Sequence, residues 1–87
     1  MGDNLITENN EEQKLMTLLA GVLDIDISTI TDETSPDNTE TWDSYTGLMM
    51  VLELESTFSV QFTMEQVVSV KNVGDIKKSL NKYGINI

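Results

Sequence analysis

The amino-acid sequence predicts an all-α protein, a small irregular four-helix bundle with a long first loop and a short third helix. Three observations carry that expectation. Apolar residues recur at helical spacing in three separate segments. Capping pairs open several of the segments, and a glycine stands where the last one should stop. Finally, strand signals are few: Val60-Gln61-Phe62 is too short, and Ile25, Ile27 and Ile30 alternate over only a few residues, a pattern that suits either a strand or a pinned loop. Residues 1–87 read as a single domain. Within it, 1–9 form a polar N-terminal extension and 85–87 a short tail.

The first helix is expected from about Asn10 to Leu23. Leu15, Leu18, Leu19, Val22 and Leu23 share one stripe, with Met16 beside it. Asn9 and Glu12 offer a capping pair, and Glu11 and Glu12 suit the positive end of the helix dipole. From Asp24 to Asp43 the period is lost among Asp, Ser and Thr, with Pro36 as the only proline. This stretch reads as a long loop pinned by Ile25, Ile27 and Ile30, and a loop of such length in so small a domain points to function. Ser44 to Phe58 is the second helix. Gly47, Met50, Val51, Leu54 and Phe58 make one apolar stripe; Tyr45, Leu48, Met49 and Leu52 make another beside it. One stripe must face the core, and the surplus one marks either a helix buried on two sides or a partner site. Thr63 and Gln66 form a capping box for a short helix with Met64, Val67, Val68 and Val70. Asn72 and Asp75 cap the last helix, where Val73, Ile76, Leu80 and Tyr83 keep the period and Gly84 ends it.

Composition removes several chemistries. There is no Cys and no His, so no disulfide, thiol nucleophile, imidazole base or Cys/His zinc site. Fifteen acids against five lysines give a net charge of −10, so nucleic acid is not an expected partner. Residues 1–65 hold fourteen of those acids and one base, Lys14; the remaining four lysines lie beyond. The polar start lacks the apolar middle of a signal peptide, and no apolar run is long enough to span a membrane. A cytoplasmic monomer is expected.

Two acid-based readings fail on their own terms. Asp24-Ile25-Asp26-Ile27-Ser28 imitates the start of a calcium loop, but Thr29 stands where Gly is needed and Ser35 where Glu is. No metal site is expected. A carboxylate-pair hydrolase needs a cleft, for which so small a helical domain has little volume, so no catalytic residue is assigned. Attention then falls on Trp42-Asp43-Ser44-Tyr45, where the acidic loop meets the second helix. Asp and Ser are ordinary helix caps, yet a serine in a first helical turn is also exposed where the dipole favours a phosphate.

With its Leu-rich first helix, long loop to Asp43-Ser44, Leu48-Met49-Met50-Val51-Leu52-Glu53-Leu54-Glu55, Phe58, Phe62 and Val73-Gly74-Asp75-Ile76, the chain resembles the acyl carrier protein family. The resemblance runs from about Glu11 to Tyr83. It implies that Ser44 is the attachment site of 4′-phosphopantetheine, transferred from coenzyme A by a phosphopantetheinyl transferase with magnesium. Asp43 would be the acid that assists that complex. The sulfur missing from the chain would arrive with the arm, which holds an acyl or aminoacyl group as a thioester. A loading enzyme and downstream transferases or synthases would be the partners. Ser44 is then a substrate of the transferase, and the protein itself is not an enzyme.

The chain departs from the family pattern in several places. Tyr45 follows the serine where Leu or Met is usual, and Met49 stands in a commonly acidic position. Glu53 and Glu55 are nearly the only acids of the second helix, and Trp42 is similar to stand-alone carriers of specialised pathways. A dedicated carrier is therefore preferred to the general fatty-acid carrier. Tyr45, Leu48, Met49 and Leu52 are the expected docking residues, with Met50, Val51, Leu54 and Phe58 facing the core. Asp24, Asp26, Asp32, Glu33, Asp37, Glu40 and Asp43 would flank Ser44 and guide encounter, with the Lys-bearing last helix outside the contact. An acidic helical adaptor or inhibitor that works unmodified would use the same surface and be indifferent to Ser44→Ala.

Overall fold

The computed structural model describes residues 10–87; the Asn9 cap lies outside them. The architecture is a small helical bundle, with no strand among the described residues. Helix α1 spans Asn10–Leu23, a single 3-10 turn Ile27–Thr29, α2 Ser44–Phe58, α3 Met64–Ser69 and α4 Val73–Lys82. No described helix is long and apolar enough to cross a membrane.

The core lies where α1, α2 and α4 meet. Leu15, Leu19 and Leu23 recur at four-residue steps along α1 and are wholly buried; Met50, Leu54 and Phe58 recur likewise on α2 and are buried almost completely. Val73, Ile76 and Leu80 close the core from α4. Gly84 ends that helix at φ 87°, where a glycine carries no Cβ penalty. Helices α1 and α2 also end left-handed but with side chains present, at Asp24 (φ 55°) and Ser59 (φ 56°). In each case a backbone N–H just past the helix reaches back, Ile25 to the Ala20 carbonyl and Val60 to the Glu55 carbonyl. The short tail is more than an appendage: Ile85 and Ile87 pack against the core.

The long loop is pinned, though not quite as its isoleucines predict. Ile30 is buried and Ile25 packs on the core, whereas Ile27 is 41% exposed. A turn with three residues per repeat breaks the two-residue alternation, so Ile25 and Ile27 do not share a face. The stronger fastening is polar. Val73 and Gly74 donate backbone hydrogen bonds to the Thr34 and Asp32 carbonyls at 3.0 and 2.9 Å. A Cβ at Gly74 would lie 3.4 Å from that Asp32 oxygen and 3.2 Å from Asn72 Oδ1, so the close approach depends on glycine. Lys77 Nζ then bridges Asp32 at 2.8 Å and Glu12 at 3.1 Å, tying loop, α1 and α4 together. Burial alone would lower the Lys77 pKa, but the two carboxylates outweigh it and hold it above the usual lysine range.

Candidate functional site

Helix α2 begins at Ser44 because Asp43 stops the loop and caps the helix. Asp43 Oδ1 accepts from the Thr46 backbone N–H at 2.9 Å, while Thr46 Oγ1 accepts from the Asp43 N–H at 2.9 Å. The reciprocal pair is a capping box with Thr as its second member. Thr46 Oγ1 also donates to the Thr41 carbonyl at 2.7 Å, which fixes the end of the loop against the helix. The Thr46 N–H holds the Asp43 carboxyl below the usual carboxylate range against the opposing effect of desolvation; the Thr46 hydroxyl and the Tyr45 N–H add to the lowering. Ser44 sits in the first turn of this box, exposed, at the positive end of a fifteen-residue helix.

Trp42 lies beneath that turn. It is only 7% exposed, a buried aromatic in an otherwise polar stretch. Its indole nitrogen comes within 3.5 Å of where a Cβ on Gly47 would stand, so the glycine seats the ring against the helix. The loop end, the cap and the helix start are thus one packed unit, and Ser44 projects from it.

Beside Ser44 the molecule opens. A cleft of about 510 Å³ runs between α2 and α3, with Asp43, Ser44 and Gly47 at one end. Leu48, Val51 and Leu54 form its α2 wall; Phe62, Val67, Val68 and Val70 form the opposite one. Asp43 is its sole charged lining residue, and Ser44 and Gln66 are the other polar ones. This corrects the expectation that so small a domain has little volume for a cleft. The room exists because α3 contributes no buried residue to the core and stands away from α2. Val51, expected in the core, is only half-buried for the same reason: it faces the gap.

The second apolar stripe of α2 divides. Tyr45, Leu48 and Leu52 are 70%, 58% and 52% exposed. Met49 is half-buried, because a helix turns by about 100° per residue and this position lies next to buried Met50. Helix α3 adds exposed Met64 and Val68, so apolar surface flanks the cleft on both sides. The acids are less united than their order along the chain implies. Asp32 is tied to Lys77, and Asp26 to its own turn, accepting from Ser28 N–H at 2.9 Å and Ser28 Oγ at 2.8 Å. Those Ser28 bonds hold the Asp26 carboxyl below its ordinary range. Asp43 is the one acid on the cleft.

The chain matches no family model and no curated protein sequence. The site therefore rests on its own geometry. Asp43 and Ser44 stand side by side where the loop enters α2; the burial of Trp42, the part of Thr46 in the cap and the valines' place as a cleft wall are contributions that the sequence did not single out. The valine run in a short, weak helix is the one signal that was there to use, because β-branched residues favour such a helix little.

Proposed function

We propose that this protein is a carrier whose Ser44 is esterified by 4′-phosphopantetheine and which presents a thioester-bound group to partner enzymes. The observation that carries the reading is a serine hydroxyl exposed in the first turn of α2, opening directly onto an apolar cleft. The residues fit the group: the hydroxyl is accessible and the helix N-terminus favours a phosphate. When bound, the arm supplies the thiol that the chain lacks.

The chain's own part is positioning. No histidine is present to activate Ser44, so the transferase must remove the hydroxyl proton as the serine oxygen bonds to the pantetheine-side phosphorus of coenzyme A, the pyrophosphate link breaks and adenosine 3′,5′-bisphosphate leaves. The capping box holds Ser44 at a fixed place on the helix end, and Asp43 offers a carboxylate beside it for the transferase complex. Tethering then raises the effective concentration of the cargo at each partner. The cleft favours an acyl over an aminoacyl cargo, because an ammonium group inside it would be desolvated with few partners. Tyr45, Leu48 and Leu52 form the docking face, with Met49 at its edge. Glu55, one of the two acids of α2, is engaged with the Phe62 N–H at 2.9 Å, so contact there is mainly apolar. That balance supports a dedicated carrier over a general fatty-acid one.

Incubation with coenzyme A, magnesium and a broad-specificity transferase, followed by intact-mass spectrometry, tests the reading. One phosphopantetheine increment that Ser44→Ala abolishes supports it. No increment with several transferases would contradict it and favour an adaptor or inhibitor that acts unmodified.

A further inference from the structure

Helix α3 poses a physical problem. It is six residues long, far below the length at which a helix holds itself, and it buries no residue. Its start is closed by a capping box, with Gln66 N–H donating to Thr63 Oγ1 at 3.1 Å and Thr63 N–H donating to Gln66 Oε1 at 2.8 Å. The same Gln66 Oε1 accepts from the Tyr83 hydroxyl at 2.8 Å, and that hydroxyl also meets the Gln61 carbonyl. The Tyr83 ring packs edge-on against Phe62, with centroids 5.8 Å apart and planes at 79°. Phe62 and Gln66 both line the cleft. Tyr83 itself closes α4, with Gly84 turning behind it and Ile85 packed on the core. One hydroxyl, mounted at the end of α4, thus holds the N-terminal part of the cleft's outer wall at two points.

We infer that Tyr83 is the latch of a gate, with α3 as the moving wall of the cleft and the Tyr83 hydroxyl setting how readily it opens. Its role in retaining a cargo rests on the carrier reading; the gate itself does not. Tyr83 is a positioning residue: its hydroxyl proton is shared between two acceptors on the wall, so losing it removes the tie to α4 from Gln61 and Gln66 together while the Thr63–Gln66 capping box remains. The ring contact with Phe62 would remain in Tyr83→Phe and keep the wall in place on average.

Native-state amide exchange on the full unmodified chain, followed by NMR, tests this without any transferase. In Tyr83→Phe the amides of Val67 and Val70, which bond within α3, should exchange about five-fold faster. The amide of Leu19 in α1 should change by less than about two-fold. A neutral single-chain alcohol such as 1-octanol, titrated against both proteins, should exchange in and out of the cleft several-fold faster in the variant. Equal acceleration at α3 and Leu19 would overturn the latch and make Tyr83 a general stabilising residue; unchanged α3 exchange would also overturn it. Faster α3 exchange with unaltered octanol kinetics would equally refute α3 as the gate. A protein that fails phosphopantetheinylation but shows the α3-selective effect would lose the carrier reading and keep the gate.

Discussion

The two sides of α2 solve opposite problems. Towards α1 and α4 its residues Met50, Leu54 and Phe58 are buried in one core with leucines that have no exposed area, and only the cleft-side edges of Met50 and Leu54 reach the opening. Towards α3 its residues Leu48 and Val51 face a cleft, and the far wall is held by a few polar bonds and one aromatic contact. Apolar composition is similar on both sides, so burial rather than hydrophobicity separates structural from available surface. A small domain can leave one flank open only if the other is closely packed.

The largest effect should come from comparing two leucines on opposite sides of that divide. Leu19→Ala should cost about 3 kcal/mol, because a wholly buried side chain leaves a cavity. Leu52→Ala should cost less than about 0.5 kcal/mol, since half of its surface is already in water. Urea denaturation of both variants checks the contrast; a comparable loss for Leu52 would place it in the core. Under the proposed function, Leu48→Glu and Leu52→Glu should instead impair turnover by partner enzymes while leaving the melting temperature nearly unchanged.

Next come the helix ends. Gly84→Ala should cost about 1 kcal/mol because its φ of 87° is unfavourable for a side chain. Ser59→Gly, at φ 56°, should stabilise by about 0.5–1 kcal/mol for the same reason reversed. Calorimetric melts of the pair should move in opposite directions. A smaller gain, about 0.5 kcal/mol, is expected from Gly47→Ala, where the added Cβ meets Trp42 at ordinary contact distance and the helix loses its weakest former. That variant also narrows the cleft, so stability and octanol uptake should change in opposite senses.

The smallest effect is electrostatic. Asp26 and Asp43 have folded-state pKa values below their ordinary value, so both bind protons more readily when unfolded. Their contributions are complete above the usual carboxylate range and fade as pH falls through the lowered folded-state values. Thermal melts from pH 5 down to about pH 2 should therefore lose less in Asp43→Asn, whose amide keeps the cap without titrating. An identical acid loss in both proteins would remove Asp43 from the account. Within the carrier reading, salt should slow association with partners more than it speeds dissociation, as stopped-flow mixing can measure.

Much of this molecule was legible in its sequence because the signals were local. The start of α2 and both capping pairs after it follow from side chains that bond within three or four residues, and the stop at Gly84 from a glycine's tolerance of positive φ. What was hidden depends on distant parts. A lone tryptophan in a polar loop has no period, so nothing announced that Trp42 is buried against Gly47. Tyr83 fits a helical stripe, yet it ends α4 and its hydroxyl reaches residues about twenty positions earlier. The cleft is a gap between two helices and belongs to neither. Likewise, the acid count suggested a united face, while Lys77 draws Asp32 away to α4.

The central claim is that Ser44 carries cargo rather than merely starting a helix. It is tested most directly by intact and tandem mass spectrometry of the protein isolated from its own cells, with and without hydroxylamine. The account predicts a phosphopantetheine group located on Ser44, together with an additional acyl mass that hydroxylamine removes. A protein that carries out its cellular role with Ser44 unmodified throughout would contradict it.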